Sequence, residues 1–483
     1  MGVPVHAPSP MIESALALVR RAIAREDEDP VVRYESAEDL TDRIDFTLPT
    51  DGLDDEVVSG LLDLIADATP RTASPRFLNQ LFGGRDDAAI AGELLSVVLN
   101  VSMYTFKVAG ANAIIERELT GHMAGLIGFD RGEGVFSPGG SMSNFTAILM
   151  ARNESQPTVR QRGLDGAPMT LYTSAQSHYS ISKGAAMAGV GRDSLRRVPC
   201  DARGRMIPEA LGAMIERDRD AGFRPFMINA TAGTTVLGAF DPIREIAAIA
   251  RRAGVWLHVD GAMGAGMILS ERTRGLLDGV ELADSITWDA HKLMGAPLVC
   301  SVILTREPGL LQRNFDEDAE YLFQSDSADV NFGGRSLQCG RRNDALKLWA
   351  LWKRHGDRGL GRRMDCLMGL ARYAAGLVRA APELTLIRDP ESVNVCFTHR
   401  DAPSPALCEE LRRRRALVVG YAEVDGRSVI RAPFVNPTLT EDDVRAAIDA
   451  VREIGCELGR ELREAPTDPS APDARSRCAS QID

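Results

Sequence analysis

The sequence predicts an α/β fold: a large domain on a mainly parallel sheet, a smaller C-terminal α/β domain, and a helical N-terminal segment. Three observations carry this. Between Thr72 and Lys353, short apolar strands alternate with helical stretches, the pattern of a sheet covered by helices on both faces. The polar residues of chemical interest stand where those strands end, which is where open α/β sheets place ligands. From His355 to Glu464 a second, shorter alternation follows.

Residues 1–71 read as helices joined by acidic loops such as Glu26–Pro30. Met11, Ile12, Leu16, Leu18 and Val19 suggest an amphipathic helix, interrupted by charge at Arg20, Arg21 and Arg25. The segment is too small and charged for an independent domain and suits an arm around a partner subunit. Residues 72–353 form the large domain. Its clearest strands are Met169–Thr173, Pro225–Ala230, Val255–Val259, Asp284–Trp288 and Leu298–Thr305, with helices over Pro208–Arg219 and Ile243–Ala253. Residues 354–464 form the small domain, with strands Ser392–Phe397, Ala416–Val419 and Val429–Phe434 and a closing helix over Glu441–Leu458. Residues 465–483, rich in Pro, Ser, Ala and charge, read as a disordered tail.

Composition narrows the classes. With 483 residues, 44% hydrophobic and 26% charged, the chain matches an ordinary globular protein. A formal net charge of −12 repels nucleic acid, and the run Arg412–Arg415 reads as a solvated helix face. No apolar run is long enough for a bilayer and no basic-then-apolar signal segment opens the chain, which points to the cytoplasm and away from a membrane. The eight cysteines are scattered without CxxC pairs, as reduced thiols with neither a disulfide framework nor a metal site.

The chemistry concentrates in two stretches. Leu257-His258-Val259-Asp260-Gly261-Ala262 is an apolar strand delivering an aspartate, and Thr287-Trp288-Asp289-Ala290-His291-Lys292 delivers a His-Lys pair. Together they suit a pyridoxal 5'-phosphate site. Lys292 would hold the cofactor aldehyde as a Schiff base, and Asp260 would keep the pyridine nitrogen protonated so that the ring accepts electrons. Taken singly, Lys292 would be a surface residue and Asp260 a turn former. Ser137-Pro138-Gly139-Gly140-Ser141-Met142-Ser143-Asn144 runs into an apolar helix, Phe145–Ala151. Such a glycine-rich turn exposes N–H groups that favour an anion, although a plain helix cap explains it equally well alone. His178 follows a strand and suits stacking on the cofactor ring and contact with a substrate carboxylate; a structural loop histidine is the alternative. Thr231-Ala232-Gly233-Thr234-Thr235 closes the next strand, offering a hydroxyl near the ring oxygen or a polar turn.

These motifs, with Pro75-Arg76-Phe77-Leu78-Asn79-Gln80-Leu81, Ser177-His178-Tyr179-Ser180, Tyr321-Leu322-Phe323-Gln324, Gln338-Cys339-Gly340-Arg341-Arg342 and Lys347-Leu348-Trp349, occur in one order over about residues 70 to 460. In that set the chain resembles the pyridoxal phosphate-dependent group II amino-acid decarboxylases, especially the glutamate and cysteine sulfinate branch. The resemblance implies the fold type I architecture of the aspartate aminotransferase-like enzymes. It implies that Lys292 is the Schiff-base lysine, Asp260 the pyridinium partner, and that His178 and Ala262 sandwich the ring. It gives Ser143 and the Met142 backbone as the phosphate seat beside His291, and Thr234 as a cofactor contact. Arg431 matches the arginine that grips the substrate α-carboxylate. Tyr321 is similar to the loop tyrosine that returns a proton to the substrate carbon. In the family that loop, here Phe315–Ser336, reaches the other subunit's active site, implying a homodimer.

Three positions leave the family pattern. Asp289 replaces a common asparagine, so a phosphate-side amide becomes a carboxylate that would repel the phosphate unless turned away or protonated. Gly261 stands for a frequent alanine, and Lys107 for a typical glutamate. Asn79 and Gln80 match positions that help recognise a distal acid group in the acidic branch, while Phe82 and Lys183-Gly184-Ala185-Ala186 lean toward the cysteine sulfinate enzymes. The expectation is decarboxylation of a short acidic L-amino acid (aspartate, cysteine sulfinate or glutamate) to the amine and carbon dioxide. The alternatives are an aliphatic or aromatic substrate, an aminotransferase or lyase on the same fold, and a cofactor-free scaffold. A nicotinamide site is disfavoured, since no GxGxxG follows a suitable strand.

Overall fold

A computed structural model of the chain describes residues 9–26, 28–317 and 330–464. Tyr321, most of its loop and the tail from Ala465 lie outside the described residues.

In chain order the first eight strands are β1 (Phe77–Leu78), β2 (Glu133–Ser137), β3 (Met169–Ser174), β4 (Leu195–Val198), β5 (Arg224–Thr231), β6 (Trp256–Asp260), β7 (Ser285–Asp289) and β8 (Ser301–Thr305). They are followed by β9 (Leu384–Leu386), β10 (Asn394–His399), β11 (Val418–Val424) and β12 (Arg427–Pro433). Seven form the main sheet in the order β2-β8-β7-β6-β5-β3-β4. The run β7-β6-β5-β3-β4 is parallel throughout, and β8 lies antiparallel between β7 and β2. Strands β5, β6 and β7 are buried almost throughout, polar residues included, because helices cover both faces, as parallel sheets require.

The carboxyl ends of the parallel strands place Thr231, Asp260 and Asp289 along one edge, with the start of β8 beside them. Ridge and groove meet closely here: a Cβ at Gly261 would stand 2.8 Å from the Thr287 carbonyl oxygen, so the glycine lets the turn after β6 lie against β7. That gives the departure at position 261 a steric reason in this chain. The predicted strand over Leu298–Thr305 begins later, at Ser301. Cys300 N–H is tied to His291 Nδ1 at 3.1 Å, and Leu298 is exposed, so the apolar letters before Ser301 belong to the turn.

The second sheet has the order β1-β11-β12-β10-β9, antiparallel except where β1 pairs with β11. Thus Phe77 and Leu78, far away in sequence, become its edge and carry Asn79 toward the main sheet. A helix over Ala345–Ala380, broken at Gly356 by a φ of 59°, contributes to the cores beneath both sheets. The N-terminal segment forms helices Pro10–Ala24, Ala37–Arg43 and Asp55–Ala68. Ser9 caps the first, its Oγ accepting from Ile12 N–H. Ile12, Leu16, Val19 and Ile23 remain exposed on it. The Arg412–Arg414 side chains pair with Glu409, Glu410 and Glu457 on the solvent side, the solvated face expected of that run.

Candidate active site

A cavity of about 380 Å³ opens at the carboxyl ends of β5, β6 and β7. Its walls bring together His178, Asp260, Ala262, His291, Lys292 and Phe82, residues spread over more than 200 positions of sequence.

Asp260 ends β6 and is buried. Its Oδ1 accepts from Ala262 N–H at 3.2 Å and its Oδ2 from Asn144 Nδ2 at 2.9 Å. Asn144 sits in the first turns of the helix Gly140–Ser155, and its amide also donates to Ser180 Oγ at 3.0 Å. Its Oδ1 accepts from Thr287 Oγ1 at 2.8 Å and faces His258 Nε2 at 3.1 Å. Burial pushes the His258 imidazole down to about 4, so it is neutral, with Nε2 as donor and Nδ1 toward Ser285 Oγ at 2.8 Å. The carboxylate is therefore aimed by groups on two strands, β6 and β7, and on the helix Gly140–Ser155. Asn144 lies in the glycine-rich motif, yet nothing in the sequence marks it: a polar residue early in a helix is ordinarily a cap or a solvated side chain.

Lys292 follows β7 in a turn closed by its own N–H to the Asp289 carbonyl at 3.2 Å. Its Nζ lies 3.4 Å from Asp289 Oδ2, and His291 Nε2 lies 3.6 Å from the same oxygen. His178 lines the same cavity beside Tyr179, its Nδ1 accepting from Ser180 N–H at 3.2 Å. Burial lowers its affinity for a proton, which favours the neutral ring; the same holds for His291.

The glycine-rich turn presents Gly140 and Ser141 to the cavity. Their first-turn N–H groups lie before the intrahelical ladder begins. The Ser143 hydroxyl is fully buried and bonded to Ser137 Oγ at 2.6 Å and Ser301 Oγ at 2.8 Å, stitching the helix start to β2 and β8. Met142 is half-buried outside the cavity wall. Thr234 is likewise spent on its own turn, its Oγ1 accepting from Ala239 N–H at 3.0 Å. It is Thr231 and Thr235 that line the cavity, and the buried Thr231 Oγ1 has no hydrogen-bond partner among the described residues.

Arg431, on β12, reaches across from the second sheet. Its guanidinium donates to the carbonyl of Thr235 at 3.1 Å and to that of Asn79. Burial disfavours its charge, and both of these partners are neutral carbonyls. Asn79 thus meets Arg431 through its backbone, whereas the Gln80 side chain is exposed and outside the cavity wall. Lys107 lies on the short helix Phe106–Ala109, also outside it.

The unpartnered hydroxyl of Thr231, the turn at Gly140, and Lys292 and Asp260 lining one cavity fit a phosphorylated pyridine aldehyde: an amine for the aldehyde, a carboxylate for the ring nitrogen and N–H groups for the phosphate. The model of the pyridoxal-dependent decarboxylase conserved domain matches residues 38–400. The chain belongs to the pyridoxal-dependent decarboxylase family. Cysteine sulfinic acid decarboxylase of Rattus norvegicus is 38% identical over 453 residues, covering 89% of this chain and 92% of that protein. Acidic amino acid decarboxylase GADL1 of Mus musculus is 33% identical over 480 residues, covering 94% and 87%. Among solved structures, mouse CSAD superposes with a TM-score of 0.88 at 36% identity, covering 92% of this chain and 98% of that one. The Oryza sativa TDC structure with PLP and tryptamine gives 0.86 at 25% identity, covering 95% and 100%. The chain is accordingly a fold type I, pyridoxal 5'-phosphate-dependent amino-acid carboxy-lyase. Among the described residues no helix is long and apolar enough to cross a membrane.

Proposed function

We propose that this decarboxylase acts on a short acidic L-amino acid, cysteine sulfinate, aspartate or glutamate, releasing carbon dioxide and the corresponding amine. The observation that carries the amino-acid decarboxylation is the half-buried Arg431 guanidinium, held by the backbone carbonyls of Thr235 and Asn79 beside the cavity that holds Lys292 and Asp260. Among the described residues this half-buried guanidinium meets no carboxylate, and a substrate carboxylate supplies one. The similarity to cysteine sulfinic acid decarboxylase and to acidic amino acid decarboxylase supports the acidic class. Phe82, the residue that leans toward the cysteine sulfinate enzymes, stands on the cavity wall.

When bound, the cofactor supplies an electron-accepting pyridine ring that stabilises the charge left on the α-carbon as carbon dioxide departs. Lys292 would hold its aldehyde carbon, Gly140 and Ser141 its phosphate, and Thr231 a polar ring substituent. Asp260, fixed by Asn144 and Ala262, keeps the proton on the ring nitrogen. His178 and Ala262 form the two walls against which a flat ring packs. Arg431 binds the α-carboxylate and orients the bond that breaks. Tyr321, on the resemblance alone, returns a proton to the α-carbon.

We further propose a cytoplasmic homodimer. Leu94, Leu95, Val97, Val98 and Leu99 form an exposed apolar row, with Val98 81% exposed, and the first helix leaves its own apolar residues open. Patches of that kind are covered by partners. Unpaired, buried thiols at Cys300, Cys396 and Cys408 suit a reducing compartment.

The test is release of carbon dioxide and amine by the cofactor-loaded protein across acidic, aliphatic and aromatic amino acids. Rapid turnover of one acidic member is expected. Activity confined to aromatic or aliphatic substrates overturns the substrate reading, and keto acid without amine overturns the reaction.

A further inference from the structure

We propose that Asp289 couples seating of the cofactor phosphate to uptake of one proton, so that phosphate and proton enter and leave the site together. The inference rests on the phosphate seat at Gly140–Ser141 proposed above.

Asp289 ends β7 with 4% of its surface exposed, directly beneath the glycine-rich turn. A Cβ on Gly140 would stand 2.5 Å from its Oδ2 and 3.0 Å from its Oδ1. The carboxylate therefore faces the place where the helix start favours an anion. Its Oδ1 is buried with no hydrogen-bond partner among the described residues. Its Oδ2 has Lys292 Nζ at 3.4 Å and His291 Nε2 at 3.6 Å, both longer than a charge-assisted hydrogen bond.

The other titratable groups around it offer little compensation. His291 from the same turn and His178 from the loop after β3 are kept neutral by burial, and burial does the same to the Cys300 thiol at the start of β8. Asp260 at the end of β6 adds a like charge, already committed to Asn144 and Ala262. Lys347, behind Cys300 on the Ala345–Ala380 helix, is paired at 2.9 Å with both Glu93 and Asp344. Lys292 is left as the cation that offsets Asp289, at a distance beyond a charge-assisted hydrogen bond whether or not an aldehyde is present. A phosphate dianion on Gly140–Ser141 then meets a poorly compensated carboxylate in a dry site, where repulsion is weakly screened. A single proton held between carboxyl and phosphate oxygens removes the repulsion and gives the orphaned oxygen a hydrogen bond. No other bond forms or breaks.

The probe is pyridoxine 5'-phosphate, which lacks the aldehyde and so leaves Lys292 chemistry out. Calorimetric titration of the full chain freed of cofactor, at pH 8 in buffers of differing ionisation heat, counts protons taken up. Uptake approaching one proton is expected, with affinity weakening about tenfold per pH unit above neutrality, the limit for a single linked proton. Asp289→Asn should bind with no uptake and a flat pH profile, and more tightly at pH 8. Absence of uptake by the unaltered chain overturns the inference without needing the variant, as does equal uptake by Asp289→Asn. Equal affinity for pyridoxine and its phosphate would instead sink the phosphate seat, and the inference with it.

Discussion

Asn144 Nδ2 donates to Asp260 Oδ2 at 2.9 Å, joining a helix start to the end of a strand 116 residues later. The same amide group receives His258 and Thr287 on its oxygen side, so one side chain fixes the carboxylate proposed to face the cofactor ring.

Replacing Asn144 by alanine strands these buried groups, each at on the order of 1–3 kcal/mol. The variant is expected to melt lower and to hold the cofactor more weakly. Thermal unfolding and a cofactor titration check this; an unchanged melting temperature together with unchanged affinity would show the network to be idle.

Arg431→Ala removes the guanidinium proposed to bind the α-carboxylate. Loss of a charge-assisted hydrogen bond of about 1.5–3 kcal/mol lowers kcat/KM about 10- to 100-fold. Arg431→Lys should recover little, since an ammonium cannot hold both carbonyls and a carboxylate in the guanidinium geometry. Steady-state kinetics on the preferred substrate decide it, and wild-type kcat/KM in the alanine variant refutes the role.

Tyr321→Phe is expected to leave cofactor affinity intact while slowing amine formation or diverting the reaction after carbon dioxide leaves. Parallel assays of carbon dioxide and amine read the split. Undiminished amine output would remove Tyr321 from the mechanism.

His258 gives a pH dependence of stability with a defined sign. Its folded-state value of about 4 lies below the ordinary 6.5, so the unfolded chain takes up the proton first as the pH falls. The stability from the neutral ring is complete above about pH 6.5 and is lost on descending toward pH 4, at up to about 1.4 kcal/mol per pH unit. Denaturant midpoints at pH 7, 6 and 5 should fall more steeply for the parent than for His258→Gln. Parallel slopes would mean that another group is responsible.

Much of this molecule was legible along the chain. The strand ends, Asp260, Lys292 and His178 announced themselves because apolar strands deliver their polar residues at fixed, local positions, and because motif order is a property of sequence. The helices over residues 208–220 and 243–253 likewise follow from local periodicity. Other features required the tertiary structure. Ser143 and Thr234 carry suitable hydroxyls, but packing against Ser137, Ser301 and Ala239 spends them internally, leaving Gly140, Ser141, Thr231 and Thr235 to face the cavity. Phe77–Leu78 joins the second sheet and thereby brings Asn79 to Arg431, a meeting across 352 positions. The sequence by itself determined which chemical groups the protein owns and which strand ends carry them. Only tertiary structure decided where each side chain points and which partner it meets, because those choices depend on non-local packing: the carboxylate of Asp289 comes up against Gly140 only once β7 lies beneath the glycine-rich turn.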